Sequence, residues 1–93
     1  PGVASLLEEV REKRSLRAAA GAMGMAYSKA WRIVRDAEEA LGYKLLNSTI
    51  GGRHGGGAAL TEEAEALLSA YQALREEVAA FARERFETRF RDL

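Results

Sequence analysis

The 93 residues are enough for one domain with a modest core. Hydrophobic types make up 47% of them, an ordinary share that excludes disorder as the default. The absence of cysteine excludes disulfides and thiolate zinc sites and fits a reducing cytoplasm, and no apolar run approaches the roughly 20 residues needed to cross a bilayer. A net charge of zero argues against a nucleic-acid partner only as an average: residues 1–57 hold nine Lys/Arg and six Asp/Glu, a balance of +3, whereas residues 58–93 hold five and eight, a balance of −3. The excess of positive charge is small and decides nothing alone, but it sits in the first part of the chain, and the acidic part must point away from any phosphate.

Val3, Leu6, Leu7 and Val10 follow the i, i+3, i+4, i+7 rule and predict a first helix over 3–13, closed by Lys13 and Arg14. Ser15 is a suitable N-cap for a second helix, whose apolar face is Leu16, Ala19, Ala20 and Met23. Consecutive alanines at 18, 19 and 20 permit close helix–helix approach. Gly24 stands where the chain must turn, at Met23-Gly24-Met25. A third helix runs over 27–41. Ala30, Ile33, Val34, Ala37 and Leu41 fall within a narrow apolar arc, and Ser28, Arg32, Arg35 and Glu39 occupy the opposite one. Lys29 and Trp31 lie on the two borders, and Trp31 is expected to pack between helices. Gly42 is a helix stop, and Tyr43 to Leu46 leads into a short strand. The loop GGRHGGG follows, from Gly51 to Gly57, and Ala58-Ala59-Leu60 is the returning strand.

Thr61 is an N-cap, and Glu62 and Glu63 favour the first turn of a long helix. Leu60, Ala64, Leu67, Tyr71, Leu74, Val78 and Phe81 alternate by four and three as a heptad seam, widened by Leu68, Ala82, Phe86 and Phe90. Such a helix reaches about 39 Å over roughly 26 residues, too long for so small a domain to cover. A second chain is expected along Leu67, Tyr71, Leu74, Val78 and Phe81. The fold class is mainly α: a winged helix-turn-helix with a three-helix core, a two-stranded wing and a long C-terminal dimerisation helix. The division falls at residues 1–60 and 61–93 within one structural unit.

Ala20, Gly24 and Ile33 carry the spacing of a helix-turn-helix: a small residue at the crossing, a glycine at the turn, an aliphatic that locks the second helix. The third helix then enters the major groove of double-stranded DNA by its N-terminal end. Tyr27, Ser28 and Lys29 near its start suit phosphate or base-edge contacts. Arg32 and Arg35, one turn apart, suit either guanine or phosphate. Arg53 and His54 at the wing tip are candidates for a minor groove or the backbone. The glycine loop lacks the Lys-Ser/Thr ending of a phosphate-cradling loop and precedes a strand. One histidine without cysteines makes no metal site, and no nucleophile has a base at a telling spacing. No enzyme and no cofactor in this chain are expected. A second class of function stays open: a winged helix that binds a protein partner and has no affinity for duplex.

The segments GMAYSKAWRIVRDAEEALG, LL and GGRHGGGAALTEEAEALLSAY resemble the N-terminal domain of ModE-type molybdate-responsive regulators, itself similar to the winged helix of LysR-type regulators. The resemblance covers roughly residues 3–80. It implies a cytoplasmic, nucleoid-associated homodimer that binds a pseudo-palindromic operator near genes for molybdate uptake or use. It also implies an oxyanion-binding module, for which these 93 residues have no room, so that an effector-binding domain or partner is expected elsewhere. Three departures bear on operator preference more than on fold. Ala26 stands where the family commonly has serine, Asn47-Ser48-Thr49 lacks the usual arginine, and His54 interrupts the glycines.

Overall fold

The computed structural model describes residues 2–49 and 57–91. Among them the chain forms α1 (Gly2–Lys13), α2 (Leu16–Ala22), α3 (Tyr27–Leu41), β1 (Leu46–Thr49), β2 (Gly57–Leu60) and α4 (Glu62–Phe90). This is the winged helix-turn-helix expected from the sequence, with its long C-terminal helix.

Each helix boundary has a local cause. The Ser15 hydroxyl accepts from the Ala18 amide at 3.0 Å and starts α2. At the other end of α2, Gly24 adopts φ +68, its amide donates to the Gly21 carbonyl, and the Met25 amide donates to the Ala20 carbonyl. These are the paired bonds of a Schellman turn, which needs a left-handed residue at that point. Gly42, at φ +83, ends α3 with a bond of 2.8 Å from its amide to the Glu38 carbonyl. Arg14 takes φ +59 without being glycine. Its carbonyl accepts from the Ala58 amide at 3.0 Å, so the α1–α2 joint is tied to the returning strand.

The core has two parts that share α1. On one side Leu6 and Val10 meet Leu16, Ala19 and Ala20 of α2, Ala30 and Val34 of α3, and Ala58 of β2. On the other, Leu7 meets Leu45, Ala64 and Leu68. Ala19, Ala20 and Ala30 are fully buried where α2 and α3 cross, as the small-residue pattern predicts. β1 and β2 are antiparallel, with Leu46 opposite Leu60 and Thr49 opposite Gly57. The wing therefore rises from a defined two-stranded base. Its tip, with the candidates Arg53 and His54, lies outside the described residues.

Thr61 joins the base of the wing to α4. Its hydroxyl donates to the Lys44 carbonyl at 2.7 Å and accepts from the Ala64 amide at 3.0 Å, while its own amide donates to the Leu45 carbonyl.

The apolar seam of α4 divides. Ala64 and Leu68 belong to the core of their own chain, so Leu68 does not widen an outward stripe as expected. At about 100° per residue Leu68 lies on the side of the helix that α1 and Leu45 cover. Leu67 and Tyr71 are half-buried beside α1, and Leu74, Val78 and Phe81 are 56–59% exposed. Leu41, expected in the apolar arc of α3, is exposed in the last turn, since it falls past the elements that cover Ala30 and Val34. No helix among the described residues is long and apolar enough to cross a membrane.

Candidate nucleic-acid interface

The packing of α3 decides what it presents. Ala30 and Val34 are buried and Ile33 packs against the same cluster. The opposite arc is therefore outward, and Ser28, Lys29, Arg32 and Arg35 are all exposed. Charge is graded along the helix. The first nine residues, 27–35, contain Lys29, Arg32 and Arg35 and no acid, whereas Asp36, Glu38 and Glu39 follow. Glu38 turns inward, its carboxylate accepting from the Leu45 amide at 2.8 Å and the Leu46 amide at 3.4 Å. Asp36 and Glu39 stay exposed. Only the N-terminal half of α3 suits an anionic partner. That half begins at Ala26, which has no side-chain oxygen, so the first-turn amides lack a side-chain cap and the positive helix end is uncovered.

Tyr27 is the half-buried member of the predicted set, and the structure explains its place. The Arg17 guanidinium lies 4.1 Å from the centre of its ring. Its hydroxyl accepts the Trp31 indole N–H at 2.7 Å, and the two rings meet edge to face at 6.4 Å. Trp31 does not pack between helices as expected; it is 40% exposed. Its place on α3 faces the cleft toward the base of the wing, away from the α2–α3 contact around Ala19, Ala20 and Ala30.

Between α3 and the base of the wing lies a cleft of about 370 Å³, lined among others by Ser15, Arg17, Tyr27, Trp31, Lys44 and Asn47. Arg17 and Lys44 thus add two cations to the predicted set, both exposed. The sequence carried a signal for each. Arg17 follows the N-cap Ser15 by two residues, at the helix end that crosses a duplex backbone in helix-turn-helix domains, and Lys44 stands two residues after the Gly42 stop. The structure brings Tyr27, Ser28, Lys29, Arg32 and Arg35 onto one end of one helix. It places Leu67, Tyr71, Leu74, Val78 and Phe81 along α4.

A short helix, a glycine turn, a second helix with a cationic leading half, and a two-stranded wing together define a winged helix-turn-helix that binds DNA. Residues 4–65 match the model of the bacterial regulatory helix-turn-helix proteins of the lysR family, and the chain belongs to that family. That family is one of regulatory proteins, not of enzymes. It is 36% identical over 75 residues to the molybdenum-pterin-binding protein MopB of Rhodobacter capsulatus, a match covering 81% of this chain and 28% of that one. It is 31% identical over 71 residues to the molybdenum transport protein ModE of Herbaspirillum seropedicae, covering 76% of this chain and 26% of that one. The chain therefore spans about a quarter of the length of these curated relatives.

Proposed function

We propose that this chain binds a pseudo-palindromic operator as a homodimer, in the manner of ModE-type regulators, and serves control of molybdate uptake or use. The observation that carries the DNA-binding half of this reading is the charge gradient on α3. Its outward N-terminal half bears Lys29, Arg32 and Arg35, and acids begin only at Asp36. Arg17 and Lys44 flank it along the cleft. The dimer is supported by Leu74, Val78 and Phe81, an exposed apolar stripe on a helix that outruns its own core. The likeness to MopB and ModE supports the link with molybdenum. An effector-binding domain or partner completes the regulator.

The test is duplex binding across a range of salt, with sedimentation of the free chain. A dimer that neutralises about six phosphates gives a slope near −5 for log K against log salt, from about −0.9 per phosphate. A duplex affinity that ignores salt, or is absent, refutes the proposal in favour of a protein-interaction module. A single species of 10.2 kDa at micromolar concentration refutes the dimer.

A further inference from the structure

Trp31 is an exposed large apolar side chain on the outward face of α3, apart from the stripe on α4. It is 40% exposed, on the wing side of the cationic arc of α3 and one helical turn from both Tyr27 and Arg35. It borders the cleft toward the wing and also the shallower hollow between Arg35, Glu39 and Tyr43, so it forms a ridge between the two. Its one polar hydrogen is already used, since the indole N–H donates to the Tyr27 hydroxyl at 2.7 Å. Tyr27 is itself held by the Arg17 guanidinium against its ring at 4.1 Å. The indole is thus oriented by two other side chains, one from each of two helices. What it offers outward is hydrocarbon, with no donor left for a base edge or a phosphate.

In a major groove the edges of the bases are polar, with one exception: the 5-methyl group of thymine. We infer that Trp31 reads sequence by laying its indole against a thymine methyl, beside the base or phosphate contacts of Arg32. The inference rests on the DNA-binding reading above and adds to it a base preference at one position. The indole is a specificity determinant here, and the Tyr27–Arg17 pair positions it.

The experiment starts from a duplex selected by the 93-residue chain from a random library. Each thymine of that duplex is then replaced in turn by deoxyuridine, which removes the methyl and keeps every hydrogen-bonding group. At one thymine of each half-site the replacement weakens binding about fourfold, the worth of one buried methyl. Trp31→Ala binds the thymine and deoxyuridine duplexes alike. A readout on the unsubstituted protein accompanies this: 5-iododeoxyuridine at the sensitive position cross-links on irradiation, and mass spectrometry places the link on Trp31. The inference is overturned if no deoxyuridine replacement matters, if Trp31→Ala remains as sensitive as the parent chain, or if the cross-link maps to another residue. A chain that selects no duplex at all overturns the DNA-binding reading instead, so the two failures are distinguishable.

Discussion

Thr61 gives the sharpest test of how the wing and the long helix are joined. Its hydroxyl makes two bonds at once, accepting from the Ala64 amide and donating to the Lys44 carbonyl, and the residue is only 7% exposed. Thr61→Val keeps the shape and removes both bonds. Loss of the cap costs about 1 kcal/mol. Leaving the part-buried Lys44 carbonyl without this donor costs about 1 kcal/mol more. The total of about 2 kcal/mol corresponds to a fall in Tm of about 10 °C for a domain of this size. Thr61→Ser keeps both bonds and loses one methyl, about 0.8 kcal/mol. The assay is urea unfolding followed by far-ultraviolet circular dichroism, at one fixed protein concentration because a dimer makes stability concentration-dependent. If Val and Ser substitutions cost the same, the hydroxyl does not join the two elements and the reasoning fails.

Further substitutions test the other parts of the reading. Arg32→Ala costs roughly 1–3 kcal/mol on a selected duplex and little on a scrambled one, whereas Arg53→Ala weakens both alike and makes the salt slope shallower; equal losses for Arg32→Ala on both duplexes would show a phosphate contact. Leu74→Glu puts a charge in the exposed stripe of α4 and leaves the monomer core untouched, so sedimentation finds a folded monomer; an unchanged dimer refutes the interface. Gly24→Ala meets nothing within 4 Å of the added carbon but must hold φ +68, so its loss of about 1–2 kcal/mol in urea unfolding is conformational alone; a neutral result refutes the left-handed turn.

The helix boundaries were legible because each depends on one or two adjacent residues: Ser15, Gly24, Gly42 and Thr61 all act where the sequence placed them. The outward arc of α3 was legible for the same reason, since its period depends on the helix alone. The exposure of Trp31 is not legible in the sequence, because it depends on whether another element covers that border of α3, and the cleft toward the wing base leaves it open. The seam of α4 is one stripe by sequence, yet its first turns are claimed by Leu7 and Leu45, residues far away in sequence. The place of Arg17 near the start of α2 is legible, but its contact with the Tyr27 ring on the next helix is not, since no periodicity within α2 reveals that pairing.

The unbroken α4 makes the spacing of DNA contacts a matter of angle. Its 29 residues span about 44 Å, and its N-cap Thr61 is hydrogen-bonded to the carbonyls of Lys44 and Leu45, just before the first strand of the wing. In the proposed dimer each reading head is the end of a stiff arm. About 24 Å of helix separates Val78 in the proposed interface from the first turn, so a change of about 10° between two such arms displaces a head by about 4 Å, more than the rise of one base step at about 3.4 Å. A small twist at the far part of α4 thus suffices to move the two third helices in or out of register with a pair of half-sites. The fold needs no refolding to change its grip, because leverage does the work.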